Sequence, residues 1–230
     1  MAFLNAALLT FVLMKAIFRV VQLNFQLEWS ERRSYFSILI YVLSTVYLSN
    51  LVFNEILSAE SWNAFFWVIF LFAAIQAAYR SFYFEADQRF LLYYGWVKPE
   101  HLILGKIIYN FIYLLAVALF TSGFFGFLMG FPIASPGAFI TVLTLASLGF
   151  SSILTLVAAI SAKAGNNPAL PAILSIPLLY PQILTLSKLS IRSLTGFSWE
   201  INAQLLIVLA LLALVSLLLS FLLFPYLWRD

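Results

Sequence analysis

Six windows of about 20 apolar residues, roughly 35–57, 62–84, 106–129, 138–161, 169–187 and 203–227, divide the chain. Coiled as a helix, each is long enough to cross the hydrocarbon core of a bilayer. A helix also satisfies its own backbone groups where no water can. Composition agrees: hydrophobic residues make up 64% of the chain and charged residues 9%, against about 45–50% and about 25% in soluble domains. A core built from 230 residues cannot hide that much apolar surface from water. The expected class is all-α and integral to the membrane, a single transmembrane domain over residues 1–230.

Proline, glycine or charge marks the gaps: Glu60 and Ser61, the segment 84–107, GFPIASPG, KAGNNP and KLSIRSLTGFSWE. None is long enough for a folded domain outside the membrane. Ahead of the first span, Lys15, Arg19, Gln22, Gln26, Ser30 and Arg33 recur every three or four positions with apolar residues between them. That is one polar helical face, and it predicts an amphipathic helix over 15–33 lying in the membrane interface. Residues 1–14 are apolar but too short to span alone; joined to 15–21 they would make a seventh span. No signal peptide is expected, because the positive charges of MAFLNAALLTFVLMKAIFRVV follow the apolar run.

Lysine and arginine set the orientation. With the N-terminus inside, the cytoplasmic side receives Lys15, Arg19, Arg32, Arg33, Arg80, Arg89, Lys98, Lys106, Lys163 and Arg229, and the outer side only Lys188 and Arg192. The net charge of +3 reflects this arrangement and does not point to nucleic acid. In the fifth span Pro171, Pro177 and Pro181 each deprive a carbonyl four residues earlier of its donor. A kinked or broken helix and a gate are the expectation there. Pro168 suits the first helical turn of that span. In the first span Ser37, Tyr41, Ser44, Tyr47, Asn50 and Asn54 form a polar row expected to face protein.

Several chemistries lack their parts. Gly105-Lys106 resembles the end of a phosphate-binding loop, but Glu100 stands where the first glycine belongs and Ile107 follows the lysine. With no cysteine and one histidine, His101, there is no thiolate site, no histidine cluster and no metal centre to expect. His101 reads as a solvated residue near a helix start. No acid falls in mid-span, which weakens proton-coupled transport, and no catalytic constellation is visible.

The segment FEADQRFLLYYGWVKPEHLILGKI, residues 84–107, holds six charged residues and the only histidine between two long apolar runs. Glu85 to Tyr94 reads as a short helix with its acids in the first turn and Gly95 as its terminator. Lys98-Pro99-Glu100 then opens the third span, with proline at the first helical position. The expectation is a stiff cytoplasmic lever over 85–104, joined directly to the second and third spans.

These residues resemble a family. The layout is similar to the permeases of ABC exporters of the ABC-2 (type V) class, in which the segment after the second span is the coupling helix held by the ATPase. More closely, the chain resembles CcmB, the membrane subunit of the haem exporter complex of cytochrome c maturation. FYFEADQRFLLYYGWVKPEHLILGKIIYN and LGFSSILTLVAAISAKAGNNPALPAILSIPLLYPQIL carry the likeness. Glu85, Asp87, Leu91, Leu92, Pro99 and Lys106 occupy the places of the family's coupling segment, and Ile176, Pro177, Leu178 and Pro181 those of its fifth-span proline pattern. Gln88-Arg89-Phe90 departs from members that carry a glycine and a second acid there.

The resemblance implies a non-catalytic permease in a bacterial inner membrane, N-terminus cytoplasmic, paired with a second copy. Implied partners are a CcmA-like ATP-hydrolysing subunit, a CcmC-like haem-handling membrane protein, a CcmD-like single-span subunit and a CcmE-like periplasmic haem chaperone. ATP would sit on the partner, haem would be a substrate of the complex, and no cofactor would be held by this chain. Glu85, Asp87, Arg89, Phe90, Tyr93, Pro99 and Lys106 would couple to the ATPase. Two alternatives stay open: the permease of another ABC-2 exporter moving lipid, polysaccharide or drug, and a non-transporting membrane scaffold.

Overall fold

A computed structural model describes residues 14–26, 32–53, 57–83, 98–164 and 169–229. Among them the regular structure is helical: α1 (14–26), α2 (Arg32–Val52), α3 (Ala59–Tyr83), α4 (Pro99–Met129), α5 (Pro136–Lys163), α6 (Ala169–Thr195) and α7 (Trp199–Arg229). Five of these, α3 to α7, are long and apolar enough to cross a membrane; in α2 the apolar part, Phe36–Val52, is shorter. The residues at Glu85 to Tyr94, Gly95, Asn54 and Pro168 lie outside the described set.

α5 forms the centre of the bundle. It packs on α3, α4, α6 and α7, and 78% of its apolar window is buried against 22% for α7. Sequence explains why. α5 presents Ala146, Ser147, Gly149, Ser151, Ser152, Ala158 and Ala159 as buried positions, and small side chains let neighbouring helices approach closely. In lipid the hydrophobic effect supplies no drive between helices, so such packing has to. α3 supplies the bulk, with Trp62, Phe66 and Phe70 on one face at four-residue spacing, all fully buried. The Trp62 ring meets Phe66 at 5.4 Å and Phe125 of α4 at 5.0 Å, and Phe70 stacks on Phe150 of α5 at 5.7 Å. Such ring pairs add about 0.5–1.5 kcal/mol each beyond their area.

Several boundaries differ from the sequence reading. Pro99 does occupy the first turn of α4, after Lys98. The predicted in-plane helix over 15–33 is shorter, because Arg32 and Arg33 belong to α2. The polar row ran on in register and hid that boundary. α6 continues through Lys188 and Arg192 to Thr195, where the sequence suggested a loop. Its polar residues stay helical because their side chains are bonded locally: Ser193 Oγ donates to the Ser190 carbonyl at 2.6 Å and Thr195 Oγ1 to the Ile191 carbonyl at 3.1 Å. Arg192 donates to Asn202 Oδ1 on α7. The 131–135 connection completes this end, with Ala134 and Ser135 N–H donating to the Leu194 and Ser193 carbonyls. α6 also runs unbroken through Pro177 and Pro181.

The polar row of α2 is only partly inward. Ile38, Val42 and Val46 are the buried positions. Ser37 accepts from Arg80 at 2.8 Å and Asn50 donates to the Leu128 carbonyl at 2.9 Å, but Ser44 and Tyr47 are exposed. Ser44 needs no protein neighbour, since its hydroxyl donates to the Ile40 carbonyl of its own helix at 2.7 Å.

Candidate functional site

At the end of the bundle where α3 stops and α4 starts, α1 lies against the first turns of α4. Val20, Leu102, Ile103, Ile107, Ala158, Ala159 and Phe224 form a second apolar cluster there, separate from the main core. Contact is closest at Gly105. A Cβ at that position would stand 2.6 Å from Val20 Cγ1 and 2.7 Å from Val20 Cβ. Valine has no flexible end to swing aside, so only glycine lets the two helices approach this closely. Phe25 adds an edge-to-face contact with Tyr109, centroids 4.8 Å apart.

A polar cluster lies just inside this contact. Lys106 is fully buried; its Nζ donates to the Ser81 carbonyl of α3 at 2.6 Å and to Asn24 Oδ1 of α1 at 3.4 Å. Asn24 donates in turn to the Val20 carbonyl at 2.8 Å. One turn further along α4, Asn110 donates to Thr155 Oγ1 of α5 at 2.8 Å and to Ser81 Oγ at 3.3 Å. Four helices, α1, α3, α4 and α5, are thereby tied together by side chains of one small cluster. The spacing of Lys106 and Asn110 places both on one face of α4, the signal by which Asn110 was detectable in the sequence. Asn24, Ser81 and Thr155 carry no such signal, because their partners are distant in the chain.

The outward side of α1 is mixed. Lys15, Arg19, Gln22 and Gln26 are exposed, and so are Met14, Phe18 and Phe25 beside them. This division suits a helix between lipid and headgroups. Beside α4's first turn, Glu100 and the Phe221 to Tyr226 end of α7 line a cleft of about 230 Å³.

Of the residues expected to couple to a partner, Glu85, Asp87, Arg89, Phe90 and Tyr93 lie outside the described residues. Pro99 is half-buried at the head of α4. Lys106 is turned inward to α1 and α3 and presents no surface to a partner. The gate candidates divide: Pro171 is buried, while Pro177 and Pro181 are exposed on the side of α6 away from the core. Among the described residues no group of histidine, cysteine and carboxylate side chains is placed to hold a metal ion.

Gly105→Leu is expected to lift α1 off α4 while leaving the main core assembled. Hydrogen exchange should then rise over 14–26 and stay unchanged over α5. Equal protection of α1 in both proteins would show that the close approach at Gly105 is not what holds it.

No curated protein and no solved structure matches the chain. A family model described as CcmB protein matches residues 15–226, nearly the whole length. The match covers the docked α1, the segment between α3 and α4 and all the long apolar helices, so the chain belongs to the CcmB family and is a membrane subunit of an ABC transporter of cytochrome c maturation.

Proposed function

We propose that the chain is the non-catalytic permease of the complex that exports haem, or releases the haem-loaded periplasmic chaperone, during cytochrome c maturation. In this reading its motion comes from a separate ATPase gripping the segment 85–104. The observation that carries this is the rigid continuation of that segment. α4 is one helix of 31 residues, about 46 Å long, against about 30 Å of hydrocarbon. Its first turns are fastened to α1 at Gly105 and to α1 and α3 through Lys106. A displacement at the head of α4 therefore moves three helices together rather than bending one.

Energetics favour an imported drive. Taking a two-state element from 1:99 to 99:1 needs about 5.5 kcal/mol of differential binding. The sequence has no phosphate-binding loop to supply it. Membrane placement follows the same reading: the apolar part of α2, Phe36–Val52, is about 25 Å long, at the short limit for a span, and in this reading serves as the first of six in an ABC-2 arrangement. α1 would lie in the interface. Arg80, Lys98, Lys106 and Lys163 fall at the α1 end and Lys188 and Arg192 at the other, as a cytoplasmic N-terminus in a bacterial inner membrane requires. Haem is then cargo of the complex and is not ligated by this chain, which has no cysteine and a single histidine in α4's first turn. Partners in this reading are a second copy, the CcmA-like ATPase, the CcmC-like and CcmD-like subunits and the CcmE-like chaperone.

The test is a double charge reversal, Glu85→Lys with Arg89→Glu, followed by purification from native membranes. Co-elution of the ATPase and stimulated ATP hydrolysis should both fall at least tenfold. Their survival would overturn the coupling assignment. An ATPase that elutes without cytochrome-maturation subunits would point to another ABC-2 exporter; no ATPase at all would leave a scaffold.

A further inference from the structure

The cleft beside the head of α4 sets one charge against walls that do not match it. Glu100 and the α7 residues Phe221, Leu222, Pro225 and Tyr226 lie around a space of about 230 Å³. Helix polarity accounts for an acid in the first turn of α4, but not for the aromatic and aliphatic surface beside it. The wall also holds a second acceptor. Pro225 lies inside α7 and has no N–H, so the Phe221 carbonyl loses the donor one turn ahead of it. Both residues line the cleft. A backbone acceptor left open next to lipid needs a partner, and that partner has to donate. Leu218, Leu222 and Tyr226 stand at four-residue spacing on one face of α7, 47%, 58% and 71% exposed. The cleft therefore opens on a row that is aliphatic for two turns and ends on a tyrosine, the order that runs from acyl core to headgroup level.

We infer that the cleft binds the primary ammonium headgroup of a membrane phospholipid, an ethanolamine lipid of the leaflet on the α1 side, with an acyl chain along Leu222 and Leu218. Chemistry selects this occupant. A primary ammonium brings three N–H donors and a positive charge, and the cleft offers a carboxylate and an open carbonyl. A trimethylammonium head is charged but has no N–H to give, and a purely anionic head would meet Glu100 with like charge. The rings of Phe221 and Tyr226 favour a cation in the same place. Lys98, exposed and two residues before Glu100, matches the phosphate of a zwitterionic head. A basic side chain from a soluble partner would also suit Glu100, but it gives no reason for an entrance continuous with the lipid-facing row. The inference needs only that α7 crosses the bilayer, and it stands apart from the ATPase reading.

The test titrates the purified full-length chain with phosphatidylethanolamine, its N-methyl and N,N-dimethyl derivatives and phosphatidylcholine, all with the same acyl chains. Native mass spectrometry reads the retained lipid. One ethanolamine lipid should bind at least tenfold more tightly than the choline lipid, with affinity falling at each methylation. Glu100→Gln should bring the two within about twofold of each other, and Leu222→Trp, which fills the cleft from the α7 side, should do the same. Glu200→Gln, an exposed acid in the first turn of α7 at its other end, is the control and should keep the full preference. Equal binding across the methylation series in the wild-type chain overturns the inference whether or not the variants fold, and so does a preference that survives Glu100→Gln. If wild type shows no ethanolamine preference and Glu100→Gln instead loses a co-purifying polypeptide, the cleft holds a basic side chain of that partner and the inference fails. ATPase co-elution from native membranes separates its failure from that of the transporter reading.

Discussion

Lys106→Glu is expected to leave little folded protein in the membrane. The substitution puts a carboxylate where the Nζ donor stood, facing the Ser81 carbonyl and Asn24 Oδ1, both acceptors, at a fully buried position. Asn24 offers little help, since the bond from its Nδ2 to the Val20 carbonyl holds the amide with its oxygen, not its nitrogen, towards position 106. Burying a charge without a partner costs about 3–5 kcal/mol, comparable with the stability of a small domain. Lys106→Met keeps the length and loses only the donated bonds, at about 1.5–3 kcal/mol. Membrane yield and the thermal midpoint in detergent should therefore fall in the order wild type, Met, Glu. If the two variants behave alike, bulk rather than hydrogen bonding holds this cluster.

Gly149→Leu should be nearly as damaging. A Cβ at Gly149 would stand 2.5 Å from Gln182 Oε1 and 2.8 Å from Gln182 Cδ. The end of a glutamine is ordinarily free to move, but this one is 2% exposed and its Nε2 donates to Ser216 Oγ of α7 at 2.8 Å. The whole of a leucine side chain would have to displace it at the contact of α5, α6 and α7. Overpacking of this kind costs about 1–3 kcal/mol, and the lost interhelical bond adds about 0.6 kcal/mol in a membrane. Gly126→Ala is the control. Its Cβ would come within 2.2 Å of Phe131, yet Phe131 is 62% exposed and can rotate away, so the midpoint should change by less than about 0.5 kcal/mol equivalent. Equal losses at the two glycines would refute the view that the confinement of Gln182, not the contact distance, decides the cost.

The aromatic face of α3 and the small residues of α5 are present in the sequence, yet neither was a usable signal. In a soluble helix the apolar side faces the core, so periodicity reports burial. Here lipid is as apolar as the core, and Leu211 and Leu214 of α7 face outward just as properly as Leu143 and Leu154 of α5 face inward. Polarity misled on α2 for a related reason. A serine on a membrane helix satisfies itself on the preceding turn, as Ser44 does, and so carries no information about where protein lies.

What the residues alone determined was the solvent, the helical class, the family likeness and the start of α4. Those follow from composition, window length and the fixed geometry of proline, which need no neighbours to act. The place of Arg32 and Arg33 in α2, the end of α6, the inward turn of Lys106 and the pairing of Gly105 with Val20 and of Gly149 with Gln182 came only from tertiary structure. Each depends on which helices touch. In a medium that treats every apolar face alike, contact is decided by the shapes of side chains far apart in the chain.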